Sequence, residues 1–337
     1  MSYTIKPVND KSTWEQFILR VNPNALFQGW PWGEVQKKIG SGIERFGVYD
    51  ASTLVGIFQT VDVCAKRGSF LHVRHGPVLA NQSVQLWGVV LAFLREQARR
   101  KHMLFVRMNP VLEESPHMRL ICSRFRLVPA AIHRMDGEQC WMLNLQDTED
   151  EILAGMRKTT RYEIRRAAKE GAEVIATTST AHFEEFMTLY QSTSIRQGFV
   201  PHKGLREEFQ EFARFNQAVL YMGYHQGVAV SGAIILYYGK QAIYHHGASV
   251  RHKVPVSHAV QWEAIKQAKK RGMDVYNFWG IAPENSPKHP WNGITVFKKG
   301  FGGYTKDYIH AQDMPISPLY LIPKTVELIR RLTRGYD

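Results

Sequence analysis

The same order of elements occurs twice in this chain, and that repetition constrains its fold more than any other feature. The first copy opens with GVYDASTLVGIFQTVDV, two strands joined by a turn at Asp50 to Thr53, the second strand carrying Gly56. An apolar strand from Phe70 to Val73 follows, then a helix over about 83–101, then the strand MLFVRMNP. The second copy opens with LYMGYHQGVAVSGAIILYY, turning at His225 to Gly227, with Gly232 in its second strand. The strand AIYHHGAS, a helix over about 256–271 and the strand MDVYNFWGIAP complete it. Both helices leave through a basic cluster into a methionine, Met103 in one copy and Met273 in the other. Corresponding positions stand about 170–176 residues apart, which means two similar domains in tandem rather than a solenoid. A length of 337 residues leaves room for two cores.

The helices are read from periodicity and caps. Val260, Ala264 and Ala268 recur at spacing four with Ile265 beside them, an apolar stripe that leaves Lys266, Lys269 and Lys270 outside it. Thr148 with Glu151 is a capping-box signature. The segment from Lys158 to Lys169 places Tyr162, Arg165, Arg166 and Lys169 at helical spacings, which predicts one continuous basic side, and Gly171 ends it. Further helices are predicted over 181–196 and 205–215. Pro315, Pro318 and Pro323 break the chain before a last helix ending near Arg334.

Charge narrows the class of partner. Lys and Arg number 43 against 30 Asp and Glu, a formal +13, which favours anionic partners carrying phosphates. The charges cluster at Arg157 to Lys169, at Arg95 to Lys101, and at Arg330, Arg331 and Arg334. Cys64, Cys122 and Cys140 are odd in number and form no CxxC pair, so a disulfide framework or zinc knuckle is not expected. MSYTIKPVNDKSTW lacks the basic-then-apolar pattern of a secretion signal, and the longest apolar runs fall far short of the ~20 residues of a membrane helix. A cytoplasmic protein is expected.

Several chemistries lack their sites. A repeated hairpin, strand, helix and strand is what two N-acetyltransferase-like (GNAT) domains would give, an α/β (α+β) architecture. Acetyl-CoA use requires a glycine-bearing loop at the helix start to hold pyrophosphate. RHKVPV (251–256) has no glycine there, and Pro77 to Ser83 lacks the spacing. Neither GxxxxGK[ST] nor a GxGxxG opening a helix occurs, so ATP and NAD sites are not indicated. His72 with His75, and His245 with His246, suggest ligand pairs. No Cys, Asp or Glu stands at ligand spacing, and the neighbours His245 and His246 should face opposite sides of a strand. No metal or other cofactor is expected.

The densest segment is FWGIAPENSPKHPWNGITVFKKGFGGYTKDY (278–308), which by composition reads as a long surface loop. Within it, Phe297 and Lys298 pair a stacking surface with a cation suited to a phosphate or a developing oxyanion. GITVFKKGFGG, RKTTRYEIRRAAKEG, FQGWPWGEVQKK and HAVQWEAIKQAKKRG together resemble the FemABX family of peptidoglycan-bridge aminoacyl transferases. The match spans nearly the whole chain. The resemblance implies two tandem GNAT-like domains without the helical-hairpin insertion of some relatives, a short, FemX-like form. Domain one would cover 1–144 plus 310–337 and bind the precursor. Domain two would cover 145–309, with the catalytic loop and the tRNA end. It implies transfer of an amino acid from aminoacyl-tRNA to an amine of the stem peptide of UDP-MurNAc-pentapeptide or lipid II, by a cytoplasmic monomer that touches the inner membrane face peripherally.

The resemblance also assigns residues. Phe297 and Lys298 match the family's Phe-Lys pair, with Lys298 stabilising the oxyanion. Tyr244 matches a tyrosine lining the substrate groove. A precursor-phosphate lysine is implied after WGEV, where Gln36 stands and Lys37 follows. A precursor-binding Arg is implied near 196–206, where Arg196, Lys203 and Arg206 compete. Asn109 precedes Pro110 where relatives carry an acid, and an amide is no general base. The substrates are therefore expected to supply the proton acceptor. Arg161, Arg165, Arg166 and Lys299 are expected to meet tRNA. The alternatives are a GNAT-type acyltransferase with another donor acting on a cell-envelope amine, or a non-catalytic RNA- or envelope-binding homologue.

Overall fold

The computed structural model describes residues 3–336, in two compact units. The first comprises residues up to Gln139, Ala282–Pro290, and the chain from Asp307 onward. Its sheet runs in the order β1 (Tyr3–Pro7), β2 (Ile43–Asp50), β3 (Thr53–Ala65), β4 (Gly68–His75), β6 (Phe105–Pro110), β15 (Gln312–Pro315) and β7 (Val128–Pro129), with the short β5 (Val78–Leu79) beside β3. Its helices are α1 (Lys11–Val21), α2 (Trp30–Lys38), α3 (Val84–Arg100), α4 (Pro116–Arg124) and α11 (Leu321–Thr333). Helix α3 starts where the Ser83 hydroxyl accepts from the Leu86 N–H. It buries Leu86, Val90 and Leu94, with Trp87 and Leu91 alongside, against Val48, Phe58, Leu71 and Val73 of the sheet. Each such side chain contributes about 1.5–3 kcal/mol.

The second unit spans Cys140–Ile281 and Trp291–Lys306. Its sheet runs β14 (Tyr304–Asp307), β8 (Gln139–Asn144), β13 (Val275–Gly280), β12 (Gln241–Ser249), β11 (Val228–Tyr238), β10 (Ala218–His225) and β9 (Ala172–Thr177). Helices α5 (Glu149–Gly155), α6 (Lys158–Lys169), α7 (Thr180–Gln197), α8 (Leu205–Arg214), α9 (Val256–Lys270) and α10 (Asn292–Lys299) belong to it. Thr148 and Glu151 form the complete capping box that opens α5.

The two sheets share one plan. In each, three antiparallel strands (β2-β3-β4; β10-β11-β12) lead through a helix to a strand parallel to the third (β6; β13). An antiparallel strand follows in space (β15; β8). The matched hairpin glycines have one cause. A Cβ on Gly56 would lie 2.6 Å from the Leu79 side chain, and one on Gly232 would lie 2.7 Å from Phe186.

Domain limits depart from the expected 144/145 and 309/310. Residues 140–144 pair with β13 and so belong to the second sheet, Ala282–Pro290 belongs to the first unit, and the chain rejoins the first unit at Asp307. The returning strand β15 is fastened by charge. Arg107 on β6 donates to Asp313 at 2.7 and 2.8 Å and to Glu327 of α11 at 3.1 and 2.7 Å, all three side chains being buried. Such a group is tolerated only because every partner is present.

Candidate active site

In the second unit β12 and β13 pair in parallel only from Gln241↔Val275 to Ile243↔Asn277, although β12 continues to Ser249 and β13 to Gly280. Beyond that point the two strands are no longer bonded to each other. Tyr244 stands on β12 where pairing stops, and a Cβ on Gly247 would overlap its hydroxyl. Burial pushes the Tyr244 phenol up to about 12, so it stays neutral at physiological pH.

Lys298 reaches this opening. The expected surface loop is in fact a helix here, and Phe297, Lys298 and Lys299 form the last turn of α10. Lys298 is buried, donates from Nζ to the Gly280 carbonyl at 2.5 Å, and lies 6.0 Å from the Tyr244 ring centroid. Burial brings its ammonium down to about 8. The cation thus stands at the end of β13 with few competitors for its field. Gly302 and Gly303, at φ +78° and +110°, then turn the chain from α10 into β14, a path that residues with a Cβ take at a cost. Phe297 does not offer a free stacking face. Its ring packs edge-on against Phe301 at 5.2 Å and His258 at 5.1 Å, so it anchors the turn that carries Lys298.

His245 and His246 face the same side, contrary to simple strand alternation. The β11–β12 register shifts between Ile234↔His246 and Ile235↔Tyr244, leaving His245 as the extra residue of a bulge. Both rings approach Glu208 of α8, with His245 Nε2 2.8 Å and His246 Nε2 3.6 Å from its oxygens. Periodicity alone hid this cluster. Glu208 lies 37 residues from His245, outside any local ligand spacing.

In the first unit the corresponding parallel pair is closed. β4 and β6 match from Phe70↔Phe105 through His75↔Pro110 without interruption. Asn109 is buried, accepts from the His75 N–H at 3.3 Å, and donates to Asp136 at 3.2 Å. A carboxylate therefore reaches the Asn109 position from elsewhere in the chain, which sequence order conceals. Arg74 also grips Asp136, donating from Nε at 2.9 Å and from its terminal nitrogen. Burial alone would raise the Asp136 carboxyl, but Arg74 outweighs it and holds the group well below the usual carboxylate range. A base so stabilised takes no proton at neutral pH. Lys37 is exposed on α2 and donates to Glu34 at 3.0 Å, while Gln36 points into the core.

The remaining basic residues divide by commitment. Arg206 at the start of α8 forms a bidentate pair with Glu184 of α7, and Lys203 is exposed one turn earlier. Arg161 donates to the Ala154 and Met156 carbonyls at 2.8 and 2.6 Å, closing the end of α5. Arg166 is engaged by Glu170, Glu163 and the Lys253 carbonyl, which breaks the expected continuous basic side. Arg165 is exposed, and Lys299 lies 5.1 Å from the Trp141 ring centroid.

Comparison with known proteins agrees with this architecture. The sequence signature of the FemAB family matches residues 10–119, 133–205 and 202–327. Lipid II:glycine glycyltransferase of Staphylococcus epidermidis is 30% identical over 114 residues, 33% of this chain. The match spans only 27% of that relative's length. Among solved structures, FemX superposes with a TM-score of 0.83 at 16% identity, covering 96% of this chain and all of the other. A tandem GNAT protein from the clavulanic acid biosynthesis pathway gives 0.57 at 11% identity, over 94% and 99% of the two chains. The fold is two tandem GNAT-like domains.

Proposed function

The chain belongs to the FemAB family, and on that premise we propose that it transfers an amino acid from aminoacyl-tRNA to an amine of a peptidoglycan precursor stem peptide. The product would be an interpeptide bridge. The observation that carries this reading is Lys298, a buried cation at the opened end of the parallel pair β12/β13, facing Tyr244. In the transfer, the acceptor nitrogen forms a bond to the ester carbonyl carbon, and the ester C–O bond then breaks. The proton lost by the amine ends on the departing ribose oxygen. Charge develops on the carbonyl oxygen between these events, and a preorganised ammonium there lowers the barrier. An ester is already an activated donor, so orientation and this one charge suffice without a protein base. Asp136 does not replace the missing acid before Pro110, because Arg74 keeps it paired.

We assign the precursor phosphates to Lys37, with Arg206 and Lys203 at the start of α8 as the competing candidates. Arg165 and Lys299, with the less available Arg161 and Arg166, would hold tRNA. The enzyme would work as a monomer in the cytoplasm.

Peripheral contact with the membrane has a support of its own. Helix α11 is amphipathic in the inverse sense, turning Glu327 inward to Arg107 while Leu321, Ile322, Leu328, Ile329 and Leu332 are exposed. At helical spacing these five form one stripe, flanked by Lys324, Arg330 and Arg331. An apolar stripe with basic flanks suits an anionic lipid surface and favours the lipid-linked acceptor. No helix among the described residues is long and apolar enough to cross a membrane.

The test is to supply purified protein with charged tRNA and either UDP-MurNAc-pentapeptide or lipid II, and to weigh the product. A mass increase of one or more aminoacyl units is expected. No increase with any charged tRNA on either acceptor refutes the reading, and turnover of acetyl-CoA instead would establish the other acyltransferase.

A further inference from the structure

On the side of the second sheet covered by α7 and α8, one carboxylate is buried among imidazoles. Glu208 enters from the first turn of α8, and His245 and His246 arrive together because of the bulge in β12. One ligand atom from each of these three residues lies within 4.8 Å of the others. His246 Nε2 is buried and makes no hydrogen bond, since Glu208 at 3.6 Å is too far to accept one. His202 stands beside the cluster, its ring 4.9 Å from that of His246 and its Nδ1 3.0 Å from the Tyr190 hydroxyl.

We infer that Glu208, His245 and His246 form a binding site for a divalent transition-metal cation of the zinc class. A tetrahedral zinc ion with bonds of ~2.0–2.2 Å needs donor atoms roughly 3.4 Å apart. His245 Nε2 stands 2.8 Å from one Glu208 oxygen and His246 Nε2 3.6 Å from the other, on either side of that spacing. Two imidazoles and one carboxylate select zinc, cobalt or iron over calcium and magnesium, which prefer all-oxygen shells.

A simple buried hydrogen-bonded pair is the competing reading, and it accounts for less. Glu208 and His245 alone would satisfy it, and the extra residue in β12 that also brings His246 Nε2 to the carboxylate would have no consequence. A cation bound by all three would tie α8 to the edge of the opening in which Tyr244, the neighbour of His245, faces Lys298. The site stands independently of aminoacyl transfer, and its test requires no turnover.

Full-length protein freed of metal by a chelator would be titrated calorimetrically with Zn²⁺, and with Co²⁺ while recording visible absorption. One cation per chain is expected, with Co²⁺ bands of low-coordinate N/O ligation. X-ray absorption on the zinc-loaded protein should show two imidazoles and oxygen donors. Glu208→Gln and His246→Asn should each weaken binding at least about 100-fold, while His225→Asn, outside the cluster, should leave it unchanged. Absence of stoichiometric binding by the unaltered protein overturns the inference, as does full affinity in both folded variants. Should the variants fail to fold, the X-ray absorption spectrum decides, and a shell without two imidazoles overturns the site.

Discussion

The two units share a strand plan, yet they treat their parallel pair in opposite ways. In the first, β4 and β6 remain matched along six residue pairs, and the Arg74–Asp136–Asn109 cluster lies at their end. In the second, β12 and β13 part after three, bulges disturb the register with β11 and β8 on either side, and Trp279 adopts φ +67°. Lys298 stands at this opening. One copy of a duplicated fold thus puts its polar groups into internal satisfaction, while the other leaves a buried cation on a single backbone carbonyl where β12 and β13 have parted. Paired polar groups stabilise, and a desolvated cation can act on a substrate.

That contrast can be broken by substitution, and the largest effect belongs to the first unit. Arg107→Met leaves the buried Asp313 with only the Tyr320 hydroxyl and the buried Glu327 with only Arg67 at 3.5 Å, which costs about 3–5 kcal/mol. Urea denaturation should show the loss. A change below ~1 kcal/mol would mean that the closed copy is not held by this network.

Lys298→Ala comes next. It should lower turnover by about 10²–10³ with little loss of stability, because it removes a buried charge whose folded form is already disfavoured. Steady-state kinetics alongside thermal unfolding separates the two, and full activity in the variant would remove Lys298 from the reaction.

A third effect is set by pH. The Lys298 pKa falls to about 8 in the fold from an ordinary 10.5, so between these values the unfolded chain holds a proton that the folded chain has released. Stability contributed by this group therefore rises with pH across that window, while catalysis by its cation declines above about 8. The rate should drop roughly tenfold per pH unit on that limb, and Lys298→Arg should abolish the limb. A wild-type profile flat to pH 10 would contradict an ammonium role.

The smallest effect concerns RNA. Arg165→Glu should reduce the salt slope of tRNA binding by about 1 and leave binding of free UDP-MurNAc-pentapeptide unchanged. An equal loss in both would move Arg165 to the precursor site.

The repeat beneath this contrast could be read in advance, and the contrast itself follows from long-range contacts. The repeat was legible because Gly56 and Gly232 each sit where a neighbouring side chain excludes a Cβ, and because the stripe of α9 is regular. Helix α10 was not. NGITVFKK is short, with Gly293 and the β-branched Thr295 and Val296, and no side chain caps its start. Its place follows from Lys298 reaching Gly280 and Phe297 packing on Phe301. His245 and His246 defeated alternation through a single extra residue. Asp136 became visible only when the fold brought it to Asn109, 27 positions away.

The fastening of β15 has a consequence in time. Arg107 leaves the ribosome 206 residues ahead of Asp313 and 220 ahead of Glu327. At the usual ~5–20 residues per second, that interval lasts roughly 10–40 s. Throughout it the nascent first sheet lacks the strand between β6 and β7, and its central guanidinium lacks both counter-charges. Such an intermediate exposes a sheet edge and invites chaperone binding. The half of the chain that is synthesised first is the half whose sheet closes last.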